Sequence, residues 1–136
     1  MAISVALVLA ALSALHVYWG IGGVGGPSVA LPEVDGKPRF IPTRFSCFAV
    51  AVALATASFL LLSRGGFLSS PFPASWIQVG TLGVGAVFVL RAIGDFRIVG
   101  FFKRVRGTRF AVWDTRLFSP LSLAIGLGSL WVALAT

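Results

Sequence analysis

The chain has 136 residues, of which 57% are apolar and 11% charged, with a mean hydropathy of +0.97. Soluble domains carry about 25% charged residues, so this composition excludes a soluble fold of the same size, and the length allows one domain only. The net charge of +7 would suggest nucleic acid in a soluble protein, but its confinement to two loops points to a membrane surface and away from nucleic acid.

Four apolar blocks, residues 3–20, 45–62, 76–90 and 121–135, each approach the ~20 residues that span a bilayer core. They predict an all-α bundle of four transmembrane helices forming a single domain over residues 1–136. The first block reads as a span and not as a cleaved leader. No Lys or Arg precedes it, and its end, Leu15-His16-Val17-Tyr18-Trp19, lacks a small-x-small cleavage pattern. Residues 20–25 then fit the G-x-G-x-x-G spacing of dinucleotide-binding proteins. That motif works between a strand and the start of a helix, whereas here a transmembrane helix precedes it, so the glycines read as a sharp exit from the first helix.

Thr43 after Pro42 is placed to cap the second helix. In lipid, helices associate through close packing, so small residues at helical spacing mark contacts; Ser46, Ala49, Ala53 and Thr56 form such a seam, facing either the chain's own helices or a partner. The single Cys47 excludes an intrachain disulfide and reads as a packing residue. Ser75 with Gln78 has the spacing of a capping box at the start of the third helix. Past Arg91, the segment 96–106 places Ile98, Phe101, Phe102 and Val105 on one helical face and Arg97, Lys103 and Arg104 on the other, with Arg106 at the boundary. This predicts a cytoplasmic amphipathic interfacial helix between helices 3 and 4, whose basic residues contact anionic lipid or an acidic partner.

Ser119-Pro120 reads as the cap and first residue of a short fourth helix. That helix carries a second seam, Ser119, Ser122, Gly126, Ser129 and Ala133, at spacings of three, four, three and four. Lys37, Arg39 and Arg44 flank the first loop, and Arg91, Arg97, Lys103, Arg104, Arg106, Arg109 and Arg116 the third, leaving only Arg64 for the second. By the positive-inside rule the first and third loops are cytoplasmic and both termini lie outside.

Chemistry-bearing residues gather at the cytoplasmic edge: His16, Tyr18, Trp19, Arg91, Asp95 and Asp114. At 1.5 Å per residue, His16 and Arg91 lie about 20 and about 24 Å from the outer edge, a shared depth that makes contact between them plausible in geometry. Arg91 and Asp95, four apart, suit a local ion pair, although Arg91 could also snorkel to the headgroups. Asp114 suits a loop brace, and Tyr18 and Trp19 stand where interfacial aromatic anchors belong. His16, the only histidine, reads first as a hydrogen-bonded interior residue. A tetrapyrrole on it is conceivable, but His16, Cys47 and the aspartates make a poor metal set and no G-x-S-x-G context accompanies a serine.

His16-Val17-Tyr18-Trp19-Gly20 with Gly22-Gly23, then Arg91-Ala92-Ile93-Gly94-Asp95-Phe96, then Phe110-Ala111 with Asp114 and Ser119-Pro120-Leu121, resemble a family of small bacterial four-helix membrane proteins classified only as a domain of unknown function. The resemblance implies a bacterial inner-membrane protein with four spans and supplies no activity. From the residues, a non-enzymatic accessory or assembly subunit, contacting lipid and other membrane subunits, is the first expectation. A protein handling a lipid, quinone or pigment at the cytoplasmic edge is the alternative.

Overall fold

The computed structural model describes residues 1–23, 30–39 and 41–136. The elements in chain order are α1 (Ala2–Gly20), a hairpin of β1 (Glu33–Val34) and β2 (Lys37–Pro38), α2 (Arg44–Arg64), α3 (Ala74–Ile93), α4 (Arg109–Trp113), a π-helical turn (Asp114–Phe118) and α5 (Ser119–Ala135). Among the described residues, four helical stretches are long and apolar enough to cross a membrane: α1, α2, α3, and the continuous run Arg109–Ala135 built from α4, the π turn and α5. The protein is therefore mostly helical. Its small antiparallel hairpin pairs Glu33 with Pro38 and Val34 with Lys37. Asp35 and Gly36 turn it with φ of 53° and 74°, the two left-handed residues that a tight hairpin needs and that Asp-Gly supplies.

Two close helix pairs make the bundle, α1 with α2 and α3 with α5, and the α2–α3 packing joins them. The α1–α2 pair is riveted by hydroxyls. Ser13 Oγ donates to Ala51 O at 2.7 Å, and Ser58 Oγ donates to Ala6 O at 2.8 Å. Around these bonds Val5, Leu9, Leu54, Leu61, Ile125 and Val132 fill the core. In the α3–α5 pair the backbones themselves approach. A Cβ on Gly126 would lie 2.8 Å from Val89 N and 3.1 Å from Gly85 O, so only glycine fits.

The small-residue faces of α2 and α5 have opposite fates. Ser119, Ser122, Gly126, Ser129 and Ala133 are all buried within the chain. Ala49, Ala53 and Thr56 are exposed on the outside of the bundle, with Ser46 half-buried, and α2 instead buries Ala51, Leu54, Ala57, Ser58 and Leu61.

Helix ends follow the local rules at some positions and not at others. Thr43 caps α2 in a full capping box: its hydroxyl accepts from Ser46 N at 3.1 Å, and Ser46 Oγ accepts from Thr43 N at 2.9 Å. The Ser75–Gln78 capping box does not form. The helix already begins at Ala74 behind Pro73, and Gln78 Nε2 reaches across to donate to Ala133 O at 3.1 Å. Arg64 donates to the same carbonyl through Nε and Nη2, at 3.3 and 3.1 Å. A cation thus closes the C-terminal end of α5, where the helix dipole favours positive charge.

Ser119 is not a helix cap, and the fourth helix is not short. Thr108 caps the start at Arg109, its hydroxyl accepting from Ala111 N at 3.0 Å, and the π turn carries the helix into α5. Proline in a helix interior removes one backbone bond and crowds the preceding turn; the wider π turn just before Pro120 accommodates that crowding. Val24 and Gly25 of the glycine-rich spacing lie outside the described residues; before them, α1 ends at Gly20 and Gly22 turns the chain with φ of 99°.

Candidate functional site

Gly94 ends α3 with φ of 87°, and the chain turns back on itself. Phe101 N donates to Ala92 O at 2.8 Å. Where the strands of this loop cross, a Cβ on Gly94 would meet Val99 O and one on Gly100, at φ 88°, would meet Ile93 O. Both glycines are required, for conformation and for space. The segment 96–106 consequently forms a folded loop and not an amphipathic helix. Asp95 also pulls it away from helix: its Oδ1 accepts from Arg97 N, Ile98 N and Val99 N at 2.9, 2.8 and 3.0 Å. Partial burial works against its ionisation, but these backbone donors outweigh that and hold the Asp95 carboxyl below the usual carboxylate range.

The loop delivers Lys103 into the interior, where it is 2% exposed. Its ammonium donates to Asp114 Oδ2 at 3.0 Å, to Gly100 O at 2.9 Å and to Thr115 Oγ1 at 2.6 Å, so all three of its protons are used. Asp114 is fully buried at the first residue of the π turn. Its Oδ1 accepts from Arg91 Nη2 at 2.6 Å, and its Oδ2 accepts from Gly100 N at 2.9 Å and Ser119 Oγ at 3.1 Å as well as from Lys103. Four donors meet the carboxylate, one on Oδ1 and three on Oδ2. One carboxylate stands between two cations, and Arg91 Nη1 is buried without a hydrogen-bond partner among the described residues.

The six residues expected at one edge therefore divide into separate groups. Arg91 and Asp114 are joined directly; Arg91 does not pair with Asp95, which is spent on its own loop. His16 is not part of that network. Its Nδ1 lies 2.7 Å from Leu12 O, one turn back on α1, and its ring meets Trp19 edge-on with centroids 5.1 Å apart. Tyr18 is exposed, and its ring lies against Gly23, where a Cβ would overlap it. Of the four residues expected to meet lipid, Arg97, Arg104 and Arg106 are exposed, while Lys103 is drawn into the core, where Asp114 Oδ2, Gly100 O and Thr115 Oγ1 accept its three protons. Lys103 and Gly100 were not legible as partners of Asp114 from spacing, since a helical reading of the loop turns them away.

The hairpin is tied to the same end of the bundle through Glu33, whose Oε1 accepts from Arg109 N at 2.9 Å, at the start of α4. Among the described residues no three His, Cys, Asp or Glu side chains stand close enough to share a metal ion. A buried ion cluster of this kind holds the end of α3, the π turn and the loop in register.

No curated protein and no solved structure matches the chain. The family of proteins of unknown function DUF3995 matches it over residues 9–129, a stretch that takes in His16, Arg91, Asp95, Asp114 and Ser119. The chain belongs to the DUF3995 family.

Proposed function

We propose that the protein is a multi-pass component of the bacterial inner membrane that acts without catalysis, as an accessory or assembly subunit of a larger membrane complex. The outward face of α2 carries this reading. Ala49, Ala53 and Thr56 are small residues at helix-packing spacing, and the chain leaves them exposed while it consumes the equivalent face of α5. In lipid such a face gains most from a second helix, which can approach closely across it. The dense hydrogen bonding of Asp114 supports the same reading, because this buried polar cluster ties α3, the loop and the π turn together.

The orientation follows from charge. The end that bears Lys37, Arg39, Arg44, Arg91, Arg97, Arg104, Arg106 and Arg109 is cytoplasmic, and Arg64, at the other end, is outside with both termini. The exposed Arg97, Arg104 and Arg106 meet the anionic inner leaflet, each contributing about 1 kcal/mol. Periplasm-dependent reporters fused at Thr136 and within residues 65–70 should both be active, and activity of cytoplasmic reporters at both positions would invert the orientation.

The subunit role is tested by extracting native membranes into polymer nanodiscs and weighing the intact particles. The chain should carry another protein in fixed stoichiometry, and Ala53→Phe should release it without lowering the melting temperature, since Ala53 supports no core packing. A wild-type chain free of any protein partner, or one whose partner survives both Ala49→Phe and Ala53→Phe, removes the proposal.

A further inference from the structure

Between the end of α1 and the start of α2 lies a cavity of about 290 Å³ lined by His16, Trp19, Leu31, Arg44, Cys47 and Val50, among others. That volume stands at the small end of the range for ligand sites, about 300–1,000 Å³, and its walls have the usual mixture of many apolar groups and few polar ones. The polar groups differ in availability. The hydroxyls of Thr43 and Ser46 are used in the capping box of α2. Arg44 is exposed and makes no hydrogen bond or ion pair among the described residues. His16 has one committed nitrogen: a carbonyl oxygen only accepts, so Nδ1, at 2.7 Å from Leu12 O, carries the proton, and Nε2 is left for another partner.

We propose that this pocket binds an amphiphile with an acidic head, a carboxylate or a phosphate monoester, whose first carbons lie along Leu31, Val50 and Trp19. The guanidinium of Arg44 pairs with the head as a fork of donors. The remaining acid proton of a phosphate monoester monoanion is donated to His16 Nε2, whereas a carboxylate, which has no such proton, is held by Arg44 alone. The head thus meets the polar groups that the cavity leaves free, and the alkyl chain covers its apolar wall. This site is independent of any subunit role and of the Asp114 network.

Cys47, the only thiol, reports occupancy. The full chain in an uncharged detergent is treated with a maleimide while laurate, dodecyl phosphate, dodecanol or inorganic phosphate is titrated in. Laurate or dodecyl phosphate should slow alkylation saturably, the more potent of the two identifying the head, while dodecanol and inorganic phosphate should fail at the same concentrations. Arg44→Gln should raise the half-protecting concentration about tenfold, the loss expected for a hydrogen bond to a charged group. Val50→Trp, which fills the cavity from a half-exposed position, should abolish protection with the melting temperature retained. Trp19 gives a second readout, quenching by dibromostearate in a chain carrying Trp76→Phe, Trp113→Phe and Trp131→Phe, and it should follow the same order. Dodecanol matching laurate, inorganic phosphate matching dodecyl phosphate, or an unchanged midpoint in Arg44→Gln would each overturn the proposal.

Discussion

Two polar centres stand at the same basic end of this bundle, and they are built in opposite ways. Around Asp114 nearly every strong group is answered: four donors meet the carboxylate and three acceptors meet the Lys103 ammonium, and only Arg91 Nη1 is left without a hydrogen-bond partner among the described residues. Around His16 the groups are left over. Among the described residues, one imidazole nitrogen is committed within α1, the other has no partner, and Arg44, which lines the same cavity, is unpaired. Burying an ionised group is costly unless it is paired, so the two cations and two further donors at Asp114 are what a structural role demands. Spare donors and acceptors around a cavity have no such structural reason to exist. Ionisable residues at one depth of a bundle are thus not one site, and the state of their hydrogen bonds separates them.

The largest effects should follow from breaking the Asp114 centre. Asp114→Asn leaves Lys103 buried without its counter-charge and should cost about 3–5 kcal/mol of stability, read as a large fall in melting temperature in detergent. Lys103→Met should cost less, because Asp114 keeps Arg91 at 2.6 Å, and Arg91→Gln less again, because the Arg91 side chain is 32% exposed and part of its interaction is screened. Combining Asp114→Asn with Lys103→Met should cost clearly less than the two losses added together, since each removes the other's partner. His16→Ala, by contrast, should shift stability by no more than about 1 kcal/mol, the worth of one ordinary hydrogen bond. Strict additivity of the Asp114 and Lys103 losses, or a His16 loss as large as that of Asp114, would erase the distinction between the two centres.

Four helices long and apolar enough to cross a membrane were legible in the sequence, because length and hydropathy alone decide them. The seam of α5 was legible as a pattern, but its partner was not. A helix in lipid can be apolar all round, so composition does not say which small-residue face turns inward; on α2 the Ser46–Thr56 pattern faces out while Ala51, Ala57 and Ser58 face in. The basic loop was misread for a related reason. Its helical wheel is amphipathic, but Gly94 and Gly100 hold left-handed conformations and Asp95 takes three backbone donors that a helix would need. The two glycines and the Asp were visible as residues. What was not visible is that a carboxylate some 11 positions beyond Lys103 would outbid the membrane surface for that charge, a contact set by tertiary folding and by the π turn. The hairpin was not anticipated in an all-α reading, although Asp35-Gly36 is a dipeptide that tight hairpin turns favour.

The smallest effect belongs to Asp95, and it tests whether the loop's conformation is held by that residue at all. Its carboxyl titrates below the usual range in the folded protein, for the backbone donors of Arg97, Ile98 and Val99 prevail over partial burial. A depressed folded-state value means that the ionised group stabilises the fold above the unfolded carboxylate range, near about 3.9, and that this contribution disappears as pH falls through the folded-state value. Asp95→Asn should therefore lower the melting temperature slightly at neutral pH, by an amount equivalent to less than about 1 kcal/mol because the carboxylate is exposed and screened. The gap between the two proteins should close on acidification. A gap that stays constant from neutral pH down through the carboxylate range would mean that the loop is held by Gly94, Gly100 and the Lys103–Asp114 pair, with the Asp95 charge contributing nothing of its own.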